Sequence, residues 1–268
     1  MKKRYLIGNL KMNILSVEDT EQYLSVFRRE MKGKKQESTV TVIAPPFPYL
    51  ERFHKELPEN AALGAQDVFW EKEGSYTGEV SYPMLKDIGT EYVIVGHSER
   101  RQYGRETDED VARKVQALLK GNLRPVICTG ETEDERRRGE TAAVLEAQLR
   151  GALEDLSPMQ AEKILIAYEP RWAIGTDRTP ESEDILEAKV IIYRMVAAAY
   201  GAAVAERIPI LYGGSVKASL LDRVCFSAQM DGVLVGRESL FPYEVAKMAD
   251  IIENYQAPER REGKPEEG

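Results

Sequence analysis

The segment 93–101, V-I-V-G-H-S-E-R-R, carries one of only two histidines in the chain from an apolar run through glycine into a charged, helix-opening stretch. A ring held at such a junction, beside a helix N-terminus, is expected to have its pKa pushed down by the helix dipole. His97 can then stay neutral near pH 7 and act as an electrophile; the competing reading is a structural histidine satisfied by backbone. Four further polar clusters follow apolar runs in the same way. In G-N-L-K-M-N (residues 8–13), Lys11 could pair with an anionic substrate or be an ordinary solvated lysine. In A-Y-E-P-R-W-A-I-G-T (167–176), Glu169 is followed by a stiffening Pro170 and an apolar tip at Trp172, Ala173, Ile174 and Gly175, then Thr176. An apolar tip between rigid hinges suits a lid that closes over a ligand and excludes water, unless Trp172 merely packs on a rim. Y-G-G-S-V (212–216) and V-G-R-E-S (235–239) set glycines where backbone N–H groups can approach an oxyanion closely. Either alone could be an ordinary turn, but both in this order are hard to explain as turns.

The elements that must position these groups are short apolar runs alternating with amphipathic, charge-rich stretches. Strands are predicted over 5–8, 39–44, 61–65, 92–95, 124–128, 163–168, 209–212 and 232–235, most of them apolar on both faces, as parallel strands covered by helices are. Helices are predicted over 17–31, 49–57, 82–88, 108–119, 141–156, 181–200, 218–225 and 242–254, with Ser16, Thr107 and Ser215 as caps near three of the starts. About eight strands alternating with about eight helices is the pattern of a single-domain α/β chain closed into a (β/α)8 barrel, with an open doubly wound sheet as the alternative. In such a barrel active sites lie where strands hand over to the following loops, and the loops after strands seven and eight commonly hold phosphate. All five clusters fall there. No linker divides residues 1–255, whereas the tail 256–268 lacks the apolar content to pack and is expected to be disordered.

Composition narrows the function classes. The 268 residues are 43% hydrophobic and 31% charged, an ordinary globular balance. A net charge of −8 argues against a nucleic-acid partner, so any anionic ligand must be captured locally. No apolar run approaches the roughly 18 residues of a membrane helix, and the basic start M-K-K-R leads into an apolar stretch too short for a signal peptide, which predicts a cytoplasmic protein without membrane partners. Cys128 and Cys225 sit in apolar contexts without C-x-x-C spacing, arguing for buried, reduced thiols. His54 and His97 lie on separate elements, which argues against a metal site.

The motifs G-N-x-K-M-N, G-A-Q-D, Y-T-G-E-V-S, V-G-H-S-E-R-R, C-x-G-E, Y-E-P-x-W-A-I-G-T, Y-G-G-S-V and D-G-x-L-V-G, spread from Gly8 to about Asn254, together resemble the triosephosphate isomerase family. The resemblance implies a TIM barrel interconverting dihydroxyacetone phosphate and D-glyceraldehyde 3-phosphate, in glycolysis and gluconeogenesis, without metal or organic cofactor. As in that family's known mechanism, Glu169 would be the base moving a proton between C1 and C2, and neutral His97 would polarise the carbonyl. Lys11 would stabilise enediolate and phosphate charge, Asn9 would donate a neighbouring hydrogen bond, and Glu99 would orient Lys11. Backbone N–H groups of Gly175, Ser215, Gly236 and Arg237 would cradle the phosphate, and the lid from Pro170 through Thr176 would protect the intermediate from elimination. The loop from Gln66 to Glu79, with Thr77 near its tip, matches the family's third loop, which reaches into a neighbouring subunit; this implies a homodimer, the alternative being a surface hairpin. Cys128 and Glu131 match a structural element of the family.

Three positions depart from the family pattern. Leu10 stands where tryptophan is common, Arg237 replaces the second glycine of the phosphate loop, and Asp177 with Arg178 occupies a lid hinge often written glycine-lysine. The Arg237 guanidinium could strengthen anion capture, although arginine's preference for solvent favours an outward side chain. These departures leave open a related isomerase acting on a four-carbon ketose phosphate. A barrel that binds sugar phosphates without catalysis is the other alternative, and it predicts damage at Glu169, His97 or Lys11, all of which are intact.

Overall fold

Alternation within each strand explains how this chain encloses a core. Along β1 (Arg4–Asn9), β2 (Thr39–Ala44), β3 (Ala62–Ala65), β4 (Tyr92–Val95), β5 (Arg124–Thr129), β6 (Leu165–Tyr168), β7 (Ile210–Gly214) and β8 (Gly232–Val235), successive side chains point to opposite faces. One set, including Tyr5, Ile7, Val42, Tyr92, Ile94, Val126, Leu165, Leu211 and Leu234, packs into a cluster inside the sheet. The intervening residues, such as Leu6, Ile43, Val93, Ile127, Ile166 and Val233, pack outward against the helices. With both faces covered, the strands have no polar side, which is why they read as nearly unbroken apolar runs.

The computed structural model describes residues 3–174 and 179–255. All eight strands pair in parallel and in sequence order, and β8 closes onto β1 with Tyr5 opposite Gly232 and Gly8 opposite Val235. The chain is therefore a single-domain TIM barrel. At its N-terminal end Arg124 donates to the hydroxyls of Tyr5 (3.3 Å) and Tyr92 (3.1 Å), closing the floor of the barrel with polar groups that satisfy one another. The tail 256–268 lies outside the described residues.

Helix Val17–Met31 and helix Asp108–Lys120 begin at Ser16 and Thr107, whose side chains accept from the N–H groups of Asp19 and Asp110. The expected cap Ser215 does not cap: its hydroxyl donates to the Ala173 carbonyl at 3.1 Å, and the turn that follows starts at Lys217. Nor is 218–225 one α-helix. A 3₁₀ turn at Ala218–Leu220 runs into a π-helical stretch, Asp222–Ser227, because the short connection between β7 and β8 must bring Val224 and Cys225 onto the core within little more than two turns. The short helices Glu133–Arg137 and Pro158–Ala161, absent from the expected set, each begin with a reciprocal capping box, Thr132 with Glu135 and Ser157 with Gln160.

The last helix, Pro242–Glu253, is tied to the start of β2 by a single carboxylate. Glu253 accepts from the backbone N–H groups of Glu37 (2.8 Å), Ser38 (3.1 Å) and Thr39 (2.7 Å) and from the Ser38 hydroxyl (3.0 Å). Desolvation works to raise its pKa, but these donors prevail and bring it down to about 2. A carboxylate depressed on folding stabilises above its unfolded range, and that contribution is lost as pH falls through the folded value. Glu253→Gln is expected to cost about 1–3 kcal/mol at pH 7, measured by chemical denaturation, with the difference from the parent protein vanishing as pH approaches 2.

Candidate active site

The strand alternation also dictates what stands at the C-terminal mouth. Continuing the inward set of each strand by one step gives Asn9 on β1, Gly130 after β5, Glu169 after β6, Gly213 on β7 and Gly236 after β8. Two of these glycines make room for Glu169. A Cβ on Gly130 would lie 1.9 Å from the Glu169 carbonyl oxygen, and one on Gly213 would lie 2.7 Å from Glu169 Cγ. The Glu169 N–H is held by the Thr129 carbonyl at 2.7 Å, so its backbone is fixed from β5 while its side chain lies over β7.

His97 reaches the same place by breaking the pattern. Extended chain would send it outward with Val93 and Val95, but Gly96 adopts a left-handed φ of 69° and turns the backbone into helix Ser98–Tyr103, with His97 as the N-cap. In that position its Nδ1 accepts from the Glu99 N–H at 3.2 Å. An accepting Nδ1 uses its lone pair, which leaves Nε2 as the ring nitrogen that faces the cavity. Nε2 faces Glu169 Oε1 at 3.3 Å, and the Ser98 N–H faces Oε2 at 3.3 Å. Both residues are nearly withdrawn from water, His97 at 6% and Glu169 at 4% exposure.

Lys11 also has a left-handed backbone, φ 51°, held by a hydrogen bond from its N–H to Asn9 Oδ1 at 3.0 Å. That bond leaves the NH₂ as the group Asn9 has to offer a ligand. The Lys11 ammonium is paired with Glu99 Oε1 at 2.5 Å, so Glu99 presents its N–H to His97 and its carboxylate to Lys11. Gly236 lies against this lysine: a Cβ there would come within 3.2 Å of Lys11 Cε.

Asn9, Lys11, His97, Glu169, Ser215 and Gly236 line one cavity of about 650 Å³. Ile174 lines it too, and so does Arg237, whose residue is exposed as its chemistry favours yet stands at the cavity wall. Pro170 leads into a 3₁₀ turn at Arg171–Ala173, where the Trp172 indole N–H donates to Glu131 Oε1 at 3.0 Å. The Tyr168 hydroxyl donates to the same oxygen at 3.1 Å, and Arg136 lies over the Trp172 ring. Burial first, and the adjacent Glu131 carboxylate second, push the Tyr168 hydroxyl far up, keeping it a donor. The candidate residues Gly175 and Thr176, like Asp177 and Arg178, lie outside the described residues.

Behind His97 is a buried ionic cluster: Asp67 and Arg100 belong to the motifs G-A-Q-D and V-G-H-S-E-R-R, whereas Glu106 and Lys114 lie outside every motif. Lys114 contacts both Asp67 and Glu106, Arg100 pairs with Asp67 at 2.8 Å, and Glu106 Oε2 accepts from the Gly96 N–H at 3.1 Å. Burial raises the pKa of Asp67 against the pull of Lys114. One signal was available: Lys114 lies on the buried helical face with Val111, Val115 and Leu118, where an ammonium must find partners. Cys128 is buried beside Glu169, and burial followed by that carboxylate's charge raises its thiol well above the ordinary range. Among the described residues, no group of histidine, cysteine, aspartate and glutamate is arranged to hold a metal ion.

The geometry can move a proton. A carboxylate that would become a base on rotating off the Ser98 N–H lies 3.3 Å from an imidazole nitrogen, and an ammonium stands nearby to stabilise negative charge. If Gly213 is needed for the carboxylate's position, Gly213→Ala should lower kcat by about 10–100-fold while circular dichroism and the denaturation midpoint remain close to those of the parent protein.

Comparison with known proteins identifies relatives along nearly the whole chain. A family model described as triosephosphate isomerase matches residues 4–255. The chain is 43% identical to the triosephosphate isomerase of Alkaliphilus oremlandii over 90% of its own length and 96% of the relative's. It is 44% identical to that of Carboxydothermus hydrogenoformans over 90% and 95%, and 46% identical to that of Citrifermentans bemidjiense over 81% and 85%.

Proposed function

Because the chain belongs to the triosephosphate isomerase family, an isomerase family with a triose phosphate substrate, we propose that it interconverts dihydroxyacetone phosphate and D-glyceraldehyde 3-phosphate using Glu169 as base and neutral His97 as electrophile. The observation that carries this assignment is the His97 Nε2–H group standing 3.3 Å, nitrogen to oxygen, from Glu169 Oε1 at the wall of one cavity. A substrate oxygen takes the place of Oε1 at that N–H, and the released carboxylate turns toward the adjacent carbon. Glu169 removes a proton from C1 or C2, and negative charge grows on the oxygen that His97 and Lys11 face. Asn9 donates its NH₂ beside them, and the proton returns from Glu169 to the neighbouring carbon. The neutral state of His97 matters because a weakly acidic N–H can share its proton with an enediolate and take one back.

The backbone N–H groups of Ser215, Gly236 and Arg237 hold the phosphate. The segment Pro170, Trp172, Ala173 and Ile174 forms the first part of the lid, rooted through Trp172 on Glu131. Closure keeps water from the enediolate, which would otherwise eliminate phosphate. Residues 1–255 form the catalytic unit. Buried, unpaired Cys128 and Cys225 suit a reducing compartment, and we place the enzyme in the cytoplasm.

We further assign it as a homodimer through the loop from Gln66 to Glu79. Residues 71–79 are all exposed, yet the loop is braced by the Phe69 N–H to Val80 carbonyl bond (2.8 Å) and by Phe69 against Tyr76, so it projects as a formed surface. Met12 is 84% exposed and Tyr103 77% exposed, apolar area that suits a second copy. Gln66 donates to the Lys11 carbonyl at 2.9 Å, tying this loop to the site.

In a coupled assay on D-glyceraldehyde 3-phosphate, Glu169→Asp and His97→Gln should each lower kcat by about 10²–10⁴-fold. Unaltered rates, or a strong preference of the parent enzyme for erythrulose phosphate, would overturn the assignment. Thr77→Arg should shift the sedimentation coefficient at micromolar protein from dimer to monomer; a monomeric parent protein would refute the interface.

A further inference from the structure

The charges around the cavity do not balance where the reaction takes place. Lys11 is paired with Glu99 at 2.5 Å, His97 Nδ1 accepts from the Glu99 N–H, and the Glu169 carboxyl group lines the same inner end. A phosphate dianion entering this space finds the inner ammonium already shared with a carboxylate, on a chain whose net charge is −8. Among the described residues two other cations line the cavity, Lys217 after β7 and Arg237 after β8. Both are exposed, and neither has an ion-pair partner among the described residues, although Glu238 lines the same wall. They stand on the two loops to whose backbone N–H groups phosphate binding was assigned above. The volume, about 650 Å³, is in the range that holds drug-sized ligands, roughly 300–1,000 Å³, and exceeds what one triose phosphate fills.

We propose that Lys217 and Arg237 form a second anion subsite at the cavity mouth, so that the site accepts compounds carrying two phosphoryl groups on a short spacer as competitive ligands. The inference rests on the isomerase reading, because the inner phosphoryl group occupies the backbone cradle assigned above. The outer group then lies between an ammonium and a guanidinium on different loops, where two cations screen the repulsion from Glu169 and Glu238. Arginine adds a planar pair of donors suited to phosphate oxygens. A monophosphate leaves this outer pair unused and gains from it only through longer-range attraction, which salt suppresses over about 8 Å at physiological ionic strength.

The test uses the full-length chain and two matched inhibitors of glyceraldehyde 3-phosphate isomerisation, propane-1,3-diyl bisphosphate and propyl phosphate. The bisphosphate should bind the parent enzyme at least about tenfold more tightly, a difference of about 1.4 kcal/mol. Arg237→Gln and Lys217→Gln keep the backbone N–H groups, and each should weaken bisphosphate inhibition about three- to tenfold relative to propyl phosphate. The double variant should bind both compounds alike, and Arg237→Lys should retain most of the preference. Raising salt to 0.5 M should narrow the parent enzyme's preference toward that of the double variant. Equal inhibition constants in the parent enzyme, or a preference that survives in the double variant, would overturn the subsite. Absence of isomerase activity, or failure of propyl phosphate to compete at all, would instead overturn the reading of the inner site.

Discussion

The hydrogen bond from the Glu99 N–H to His97 Nδ1 decides which ring nitrogen the cavity meets. With Nδ1 accepting, the nitrogen left to face the cavity is Nε2, 3.3 Å from the Glu169 carboxylate. That bond exists because the imidazole caps a helix whose first N–H groups need acceptors, a role in which a histidine side chain stands in for serine or aspartate. The same short helix therefore satisfies its own terminus and orients the ring of its cap. Glu99 adds its carboxylate to Lys11, so one residue links the donor and the ammonium.

What the cap aims at is delivered by the barrel. Inward-facing positions are supplied by every strand, but a small barrel has space for few large side chains at one level. Glu169 occupies that level because its neighbours there, Gly130 and Gly213, have no side chains. The site is thus one carboxylate surrounded by two omissions, with an imidazole brought in by a backbone turn. The left-handed conformation at Gly96 redirects the His97 side chain that ordinary strand alternation would have placed elsewhere, and glycine adopts it without steric cost; at Lys11 the left-handed backbone is held by the Asn9 side chain.

Much of this was legible from the chain. Unbroken apolar runs mark strands buried on both faces, and the polar residues just beyond them mark the mouth, so Lys11, His97 and Glu169 could be found without knowing any contact. The misreadings have physical causes. Ser215 has the residue type of a cap, but its hydroxyl is taken by the lid root at Ala173. The stretch 218–225 has helical spacing, yet the need to seat Val224 and Cys225 winds it into 3₁₀ and π turns. The Lys114 and Glu106 contact is local, but Asp67 joins it from 47 positions away, a pairing that appears only when β3 and β4 lie side by side. Likewise, that Gly130 and Gly213 serve Glu169 cannot be seen until β5, β6 and β7 lie side by side.

Closure of β8 onto β1 has a consequence for how the chain is made. The first strand is synthesised early, but one of its edges finds its partner only when residues 232–235 have left the ribosome. Until then a row of unpaired backbone donors and acceptors along Tyr5, Leu6, Ile7 and Gly8 is open to the edges of other nascent chains. Pairing across more than two hundred residues raises contact order, and with it the time spent in that open state. The geometry that leaves the mature sheet without an edge thus concentrates the hazard of misassembly in the last moments of synthesis, when this one seam is the contact still to be made.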